Sequence, residues 1–392
     1  MAAPRPLDGL TILSLEQALT LPFLTYRLAC DGARVIRVEN PRRPDPNRFV
    51  GKDVLGEKDM RSYFLPNNCG KEAITLDLGQ AEGRALLDAL IVELRVDVFA
   101  CNQRPRSYMR LGIEPERLRA LKPDLITLGI SGFGPEHDEA AYDPVLQARS
   151  GFMELTGDPE GPPTVFGLPM IDLGAAEHAY GELMKALYRR ARTGEGARLD
   201  VSMHRSALSW MVAPILHQAL GEPVTRKGNG HQFFAPVGVY RARDGWIYLA
   251  VGSDPQWAAL AALPAFVGLA RPAYAANAGR IADARRLDAA LAAIFARLTT
   301  AAALATLRDA GVAASRVNAL ADVVVDPLVA GRLMRVKDPR TGFEVTLPPP
   351  PTGEAPPLAF PPRLGEHNDR IYGEALGHPP ERLADLRARG IV

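Results

Sequence analysis

The chain has 392 residues, of which 47% are hydrophobic and 23% are charged, and its formal net charge at pH 7 is +1. This length allows one large core or two domains. The balanced charge excludes the strongly basic surface of a nucleic-acid-binding protein and a charge run that would attract the chain to an acidic membrane.

The first half of the chain alternates between apolar, strand-like runs and helical patterns. Strands are predicted at residues 10–15, 35–38, 96–100 and 125–130, and a helix is predicted at residues 81–94. Strands that alternate with helices are typical of parallel βαβ units, so we expect an α/β fold with a parallel sheet.

A single carboxylate, Asp172, stands where an apolar, strand-like segment turns into a helix. From Leu173 to Leu187, apolar residues recur at helical spacing, so the helix is predicted to begin just after Asp172. Its first N–H groups and its dipole would then help to keep Asp172 ionised. An aspartate at such a position is most often a helix cap, and the alternative is a nucleophile.

The pattern changes in the second half of the chain. The run at residues 199–203 precedes a long apolar helix that is predicted to reach residue 220. Gly228-Asn229-Gly230 is either an ordinary turn or a functional loop. Two later strand-like runs, separated by Asp244-Gly245, predict a hairpin. The prolines at 348–351 indicate a stiff, extended segment that leads out of this region of the chain.

The cysteines, the histidines and the lack of long apolar runs argue against disulfides, metal sites and membrane segments. Cys30, Cys69 and Cys101 have no paired spacing, which favours reduced thiols in the cytosol over a disulfide framework or a zinc site. None of the seven histidines forms a His-x-x-x-His pair, so no metal is expected. Residues 1–6 lack the apolar core of a signal peptide, and no run approaches the length of a membrane span. We therefore expect a cytoplasmic protein with no metal, no nucleic-acid partner and no membrane partner.

Several motifs, taken in their order along the chain, resemble the class III CoA-transferases. That family also contains carnitine-type and formyl-CoA transferases and, more distantly, α-methylacyl-CoA racemases. The motifs are Pro6-Leu7-Asp8-Gly9-Leu10, Pro22-Phe23, Gly32-Ala33-Arg34-Val35-Ile36, Asn68 with Lys71 and Ile74-Thr75-Leu76-Asp77-Leu78, Asn102-Gln103-Arg104-Pro105, Met109-Arg110-Leu111-Gly112, Ile130-Ser131-Gly132-Phe133-Gly134, Tyr142-Asp143 with Gln147, Asp172, Thr193-Gly194 with Gly196, Gly228-Asn229-Gly230-His231-Gln232 with Ala235-Pro236, and Leu364-Gly365-Glu366-His367.

The resemblance implies that Asp172 attacks the thioester of an acyl-CoA and passes CoA to a free carboxylic acid. The implied intermediates are mixed anhydrides and an aspartyl-CoA thioester. Donor acid, acceptor acid and enzyme carboxylate have similar leaving-group quality, so CoA can move among them without ATP. Coenzyme A is the co-substrate, and no tightly bound cofactor is expected.

The resemblance also implies roles for residues around Asp172. The further catalytic residues are Asp143, Gly228, Gly230 and Gln232, the glycines forming a mobile loop that closes over the reacting carboxylate. The residues implied at the CoA moiety are Arg104, Lys71, Arg42, Arg43, Arg48 and Met109. Those implied at the acyl substrate are Glu16, Gln17 and Tyr142. Glu16-Gln17 resembles a subset of the family that handles dicarboxylic acids, with succinyl-CoA as a frequent donor. The alternative for Asp143 is a cap of the helix that follows it.

Two other functions remain as alternatives. One is an α-methylacyl-CoA racemase of the same fold, which Tyr142 disfavours because such racemases look to carry a histidine base at that position. The other is a non-catalytic CoA-binding subunit of a hetero-oligomer, which the intact Asp172 disfavours.

The resemblance implies a discontinuous, Rossmann-like large domain formed by residues 1–204 and 326–392. A connector helix at residues 205–225 would lead to an inserted, smaller α+β domain at residues 226–325. It also implies an interlocked, ring-like dimer, expected as a homodimer, with a hetero-oligomer containing a paralogue as the alternative.

Overall fold

The computed structural model describes residues 5–353 and 356–392. These residues form two compact units. The first unit consists of the chain up to Ser150 together with Leu168–Met211 and Gly331–Val392. The second unit consists of Gly151–Gly167 and Val212–Ala330.

Strands and helices are numbered in chain order. The strands are β1 (Thr11–Leu15), β2 (Arg34–Glu39), β3 (Lys71–Thr75), β4 (Val98–Cys101), β5 (Ile126–Ser131), β6 (Arg198–Ser202), β7 (Val237–Ala242), β8 (Gly245–Ala250), β9 (Ala313–Arg316), β10 (Met334–Lys337) and β11 (Glu344–Leu347). The α-helices are α1 (Thr20–Cys30), α2 (Ala81–Glu93), α3 (Tyr108–Leu111), α4 (Pro115–Leu121), α5 (Asp143–Arg149), α6 (Phe152–Leu155), α7 (Met170–Thr193), α8 (Met203–Leu208), α9 (Val212–Ala219), α10 (Asp254–Ala261), α11 (Asn277–Ala282), α12 (Ala284–Phe295), α13 (Thr300–Asp309), α14 (Leu320–Val323) and α15 (Pro380–Ala388).

Six parallel strands form the main sheet of the first unit, in the order β3-β2-β1-β4-β5-β6. The four strands predicted in the first half of the chain are β1, β2, β4 and β5, and the predicted helix is α2. The predicted α/β fold with a parallel sheet is therefore confirmed. Because the strand order reverses between β1 and β4, a crevice opens at the carboxyl ends of these two strands.

Apolar side chains fill the core of this sheet. Leu13, Ile36, Ile74 and Phe99 are at most 2% exposed and share one cluster with Leu87 of α2. Parallel strands read as nearly continuous apolar runs because both of their faces are covered. Burial of each such side chain stabilises the fold by roughly 1.5–3 kcal/mol. This packed core fixes the positions of the strands and therefore of their carboxyl ends.

The second unit contains a three-stranded antiparallel sheet in the order β7-β8-β9. Ala242 pairs with Gly245, which leaves Arg243-Asp244 as a two-residue turn. The predicted hairpin is confirmed. Ile247 of β8 packs with side chains of α10 and α12, such as Trp257 and Phe295, in a separate core.

The long helix predicted to follow residue 203 is broken in the structure. Helix α8 ends at Leu208, and α9 begins at Val212. Trp210 lies between them and packs against α7, with a ring carbon 1.5 Å from where a Cβ on Gly174 would stand. The helix is therefore interrupted at residues 209–211, where the Trp210 side chain packs against α7.

The limits of the two units differ from the predicted domain limits. The predicted connector, residues 205–225, is divided between the two units at Met211. Residues 151–167, predicted in the large domain, belong to the second unit. There the N–H of Gly228 donates to the carbonyl of Gly157 at 2.9 Å.

The described residues contain no single membrane-spanning helix and no cluster of metal ligands. No single helix is long and apolar enough to span a membrane, and one bent pair, α12 with α13, meets that criterion by combined length and composition alone. Within residues 5–353 and 356–392, no group of three or more His, Cys, Asp or Glu side chains is arranged to hold a metal ion.

Candidate active site

The crevice of the parallel sheet is bounded by the residues that follow β1 and β4. Asn102, directly after β4, binds both backbone groups of Gln17, which lies two residues beyond β1. The Gln17 N–H donates to Asn102 Oδ1 at 3.1 Å, and Asn102 Nδ2 donates to the Gln17 carbonyl at 2.7 Å. The two strand ends are thereby tied together at the place where open α/β sheets bind their ligands.

Two cavities open along this edge of the sheet. The larger has a volume of about 460 Å³ and the smaller a volume of about 170 Å³. Gln17 and Gln103 line both cavities, so the two are neighbours. Polar residues that line the larger cavity include Asn40, Arg42, Arg43, Asp77, Gln80 and Arg110. Polar residues that line the smaller one include Thr20, Arg104, His137, Glu139, Tyr142 and Asp172.

Asp172 lies in the first turn of α7 and is not its cap. The helix begins at Met170, three residues earlier than predicted. The buried carboxylate of Asp143 is the group that accepts from the helix N-terminus: its Oδ2 accepts the N–H of Ile171 at 2.7 Å and that of Asp172 at 3.1 Å. The predicted arrangement, in which these N–H groups face the Asp172 carboxylate, is therefore wrong. Asp143 therefore caps α7. It does not cap α5, the helix that it begins, because no side chain of the described residues caps that helix and its N-cap residue is Tyr142.

The surroundings of Asp172 favour its protonated form. The Thr20 hydroxyl donates to Asp172 Oδ1. Burial raises the pKa of Asp172 to about 6, the Thr20 hydrogen bond opposes that rise, and the negative charge of Asp143 adds to it. The prediction that the helix terminus holds Asp172 ionised is corrected, because the cap charge acts in the opposite direction. A strongly shifted carboxylate that lines a cavity is typical of a functional site.

Glu16 and Lys71 form a buried ion pair. Lys71 Nζ donates to Glu16 Oε1 at 2.7 Å and to the carbonyl of Pro22 at 2.9 Å. Both side chains are fully buried, although Glu16 borders the larger cavity. Burial lowers the pKa of Lys71 to about 8, against the effect of the Glu16 charge. The predicted role of Lys71 at CoA is wrong, because its ammonium is buried and neutralised by Glu16. The predicted contact of Glu16 with the acyl substrate stays a prediction, since Glu16 lines the larger cavity.

Arg48 is likewise an interior residue. Its Nε and Nη2 donate to the two carboxylate oxygens of Glu39 at 2.8 and 2.6 Å, a bidentate arrangement. Its guanidinium also stacks over the ring of Phe64, 4.0 Å from the centroid. Burial would raise the pKa of Glu39, but the charges of Arg37 and Arg48 lower it to about 2. The predicted contact of Arg48 with CoA is wrong, because this guanidinium has no exposed surface.

Comparison with known proteins identifies the class to which this site belongs. The profile of CoA-transferase family III matches residues 7–368. The chain belongs to this family. It is therefore an enzyme of the CoA-transferase class, which uses coenzyme A as a co-substrate.

Relatives and a solved structure agree with the family. The succinyl-CoA–D-citramalate CoA-transferase of Chloroflexus aurantiacus is 32% identical over 99% of this chain and 98% of that protein. The acetyl-CoA:oxalate CoA-transferase of Acetobacter aceti is 36% identical over 85% of this chain and 86% of that protein. A CAIB/BAIF family protein from Brucella suis has a TM-score of 0.83 and 32% identity, covering 95% of this chain and 100% of that one.

Three of the cations predicted to contact CoA line the two cavities. Arg42 and Arg43 are exposed and line the larger cavity, and Arg104 is exposed and lines the smaller one. Guanidinium groups bind phosphate through paired hydrogen bonds. Met109 is 81% exposed and lines neither cavity, whereas its neighbour Arg110 lines the larger one. The CoA contacts of these residues stay predictions.

Other predicted site residues lie at the smaller cavity or in the second unit. Gln17 and Tyr142 line the smaller cavity, and Tyr142 is 72% exposed. Gly228 and Gly230 belong to the second unit, where the Gly230 N–H donates to the Lys227 carbonyl at 2.9 Å. Gln232 carries a buried Oε1 that accepts no hydrogen bond within the described part of the chain. The catalytic roles of this loop stay predictions.

Sequence reasoning missed three residues of the site. Thr20 contacts Asp172, and its partner lies 152 residues away in the chain, which no local pattern reveals. His137 lines the smaller cavity from the segment that follows β5. Arg110 could have been found, because it is the cation inside the motif from which Met109 was chosen.

Proposed function

We propose that this enzyme transfers CoA from an acyl-CoA to a free carboxylic acid and that Asp172 is the covalent carrier. The observation that carries the proposal is the position of Asp172: a half-buried carboxylate that lines a small cavity next to a larger, arginine-lined one. An elongated ligand with phosphates at one end and a reactive thioester at the other fits this pair of cavities.

The reaction needs only carboxylates and a thiolate. An oxygen of Asp172 attacks the thioester carbonyl, the C–S bond breaks, and CoA leaves as a thiolate, which produces a mixed anhydride. The thiolate then attacks the Asp172 carbonyl carbon and expels the donor acid, which produces an aspartyl-CoA thioester. The acceptor carboxylate repeats these two steps in reverse order. Exclusion of water protects the anhydride from hydrolysis.

We propose a dicarboxylyl-CoA, with succinyl-CoA first, as the class of donor. Relatives named as succinyl-CoA transferases support this proposal. Glu16 does not, since its side chain is buried in an ion pair. Polar residues of the smaller cavity that could bind a second carboxylate include Gln17, Arg104 and His137.

We further propose that the enzyme acts in the cytoplasm as an interlocked homodimer with the second unit as its inserted, smaller domain. Apolar side chains of the second unit support a partner surface: Val212, Ile215 and Leu216 of α9 are more than half exposed. Exposed apolar groups that cluster on one element mark interaction sites. Light scattering on the purified protein tests the dimer, and a co-purifying paralogue would instead indicate a hetero-oligomer.

Intact-protein mass spectrometry tests the covalent carrier. The wild-type protein is incubated with succinyl-CoA and other acyl-CoAs and then treated with hydroxylamine, alongside Asp172→Ala and the exposed control Asp369→Asn. We expect a hydroxylamine-sensitive CoA adduct in the wild type and in the control, and none in Asp172→Ala. An adduct that survives in Asp172→Ala contradicts the proposal. Deuterium uptake at the α-carbon without transfer would indicate a racemase, and CoA binding without either reaction a non-catalytic subunit.

A further inference from the structure

The hydroxyl of Thr20 meets the proposed covalent carrier at one oxygen only. Thr20 is the first residue of α1, is 5% exposed, and donates to Oδ1 of Asp172. Oδ2 of Asp172 accepts no hydrogen bond from the described residues. The two oxygens of the carboxylate are therefore not equivalent: one is held and the other is open.

We propose that the Thr20 hydroxyl orients Asp172 so that Oδ2 attacks the thioester, and that it then stabilises the oxyanion that forms on Oδ1. This inference rests on the proposed function. In the mixed anhydride, Oδ2 becomes the bridging oxygen and Oδ1 the carbonyl oxygen. When the CoA thiolate attacks the Asp172 carbonyl carbon, the S–C bond forms and negative charge develops on Oδ1. The electron pair on Oδ1 then re-forms the C=O double bond while the bond between the Asp172 carboxyl carbon and Oδ2 breaks. The donor acid leaves as a carboxylate that carries Oδ2 and the electron pair of the broken bond.

A donor for this oxyanion is needed because the nearest backbone donors are occupied. The N–H groups of Ile171 and Asp172 both donate to Asp143. The N-terminus of α7 is therefore capped by a negative charge, which opposes a second anion beside it. The Thr20 hydroxyl approaches from a different helix and already contacts Oδ1. A donor fixed before the charge develops needs no reorganisation during the reaction.

The segment that leads to Thr20 is held on both sides. Ala18 has a left-handed backbone, with φ of 62°, which is a costly conformation for a residue with a Cβ. Its N–H donates to Asp45 Oδ1 at 3.1 Å, and its carbonyl accepts from Asn47 Nδ2 at 2.7 Å. Gln17, one residue earlier, is held by Asn102 as described above. These contacts stabilise the turn from which α1 begins and so fix where Thr20 stands.

The helix that begins at Thr20 is also fixed against the helix that carries Asp172. Further along the two helices, Arg27 forms an ion pair with Glu177, and the Tyr180 hydroxyl donates to Asp31 Oδ2 at 2.6 Å. The contacts advance in the same direction along α1 and α7. The Thr20–Asp172 contact is therefore the first of a series that holds the two helix N-termini in register.

Thr20→Val and Thr20→Ser test the proposal. Valine has nearly the shape of threonine but no hydroxyl, whereas serine keeps the hydroxyl. Loss of one oxyanion donor typically lowers kcat by 100-fold to 1,000-fold. We expect Thr20→Val to lower kcat by roughly 100-fold with little change in KM for the acyl-CoA, and Thr20→Ser to stay within about fivefold of the wild type. In a single-turnover experiment, Thr20→Val should also slow the decay of the aspartyl-CoA adduct when acceptor acid is added.

The control is Thr306→Val, the same change on α13 in the second unit. It should leave all these rates unchanged, and circular dichroism should show that each variant is folded. A kcat for Thr20→Val within twofold of the wild type would overturn the inference, and so would equal losses in Thr20→Val and Thr20→Ser, which would indicate packing alone. Failure of the proposed function is distinguishable, because it would appear as an adduct in Asp172→Ala whatever the Thr20 variants do.

Discussion

Asp143 caps the helix that carries Asp172, through hydrogen bonds from the N–H groups of Ile171 and Asp172 to its Oδ2. Its Oδ1 accepts from Gln147 Nε2 at 2.5 Å. One buried carboxylate thus positions the other, and its negative charge adds to the rise in the pKa of Asp172 that burial causes. The separation of roles between these two aspartates underlies the first two predictions.

Asp143→Ala should destabilise the fold, and Asp143→Asn should change the pH dependence of catalysis. Alanine leaves two N–H groups of α7 without their acceptor, so we expect the free energy of unfolding to fall by about 1–3 kcal/mol. Asparagine keeps an acceptor but removes the charge that raises the pKa of Asp172. The acid limb of kcat/KM should then move to lower pH. Denaturant unfolding and a pH–rate profile measure the two effects, and a limb that moved upward would contradict the assigned repulsion.

The raised pKa of Asp172 predicts an acid limb in kcat/KM. Only the ionised carboxylate can attack the thioester, so kcat/KM for the acyl-CoA should fall tenfold per pH unit below about pH 6. The measurement uses donors that do not titrate between pH 5 and 8. A limb near pH 4, the ordinary range of an aspartate, would show that burial does not control this group.

The same pKa predicts that Asp172→Asn stabilises the enzyme at neutral pH. The pKa of the folded state, about 6, lies above the ordinary value of 3.8, so the folded protein binds a proton that the unfolded chain has already released. Wild-type stability therefore falls as pH rises between these values, by at most about 3 kcal/mol. The variant should be more stable than the wild type at pH 8 and equal to it at pH 3.5. Denaturant unfolding at both pH values measures this, and an equal difference at each would assign it to packing.

The elements of the fold could be predicted from sequence more completely than the site. The strands β1, β2, β4 and β5 were found because a buried parallel sheet needs continuous apolar runs. The location of Asp172 near the start of a helix was predicted from the helical spacing of the apolar residues that follow it. The sequence around a charged residue such as Lys71, by contrast, is the same whether its side chain faces solvent or pairs with a residue 55 positions away. Ion pairs and hydrogen bonds between distant segments leave no local pattern, which is why Lys71 was misassigned and Thr20 was missed.

Lys71→Met should lower the free energy of unfolding, because Lys71 has a structural role and does not bind phosphate. Removing the ammonium leaves Glu16 buried with less compensation, which typically costs about 3–5 kcal/mol. The double variant Lys71→Met/Glu16→Gln should recover part of this loss, since no lone charge remains. The control is Lys185→Met, on an exposed lysine of α7. Chemical denaturation measures all three. An unchanged stability together with a raised KM for acyl-CoA would restore the phosphate role.

Arg42→Ala with Arg43→Ala should weaken binding of the CoA moiety. Loss of exposed charge-assisted hydrogen bonds should raise KM for the acyl-CoA by roughly fivefold to thirtyfold and leave kcat within about twofold. The control is Arg335→Ala, on an exposed arginine of β10. A thioester of pantetheine, which lacks the nucleotide, should be used equally well by the variant and the wild type. A defect that persists with this short substrate would place the arginines at the thioester end.

Gly174→Ala should disturb the helix that carries Asp172, whereas Gly181→Ala should not. The ring of Trp210 occupies the place of a Cβ at Gly174. At Gly181, apart from the adjoining residues and the backbone of α7 itself, no atom of the described residues lies within 4 Å of the Cβ position. Both glycines lie in the interior of α7, so the intrinsic helical gain of about 1 kcal/mol is the same for each. Gly181→Ala should therefore be neutral or stabilising. Gly174→Ala must displace Trp210 or bend α7, and overpacking of this kind typically costs about 1–3 kcal/mol or more.

Two measurements separate these outcomes. Denaturant unfolding compares the free energies of the two variants, and tryptophan emission reports whether the Trp210 ring has moved into a more polar environment. Because Gly174 lies two residues from Asp172, displacement of α7 should also lower kcat in Gly174→Ala, while Gly181→Ala keeps the wild-type rate. If both variants gained stability equally and both kept full activity, the ring of Trp210 would not hold the first turns of α7, and the break between α8 and α9 would need another cause.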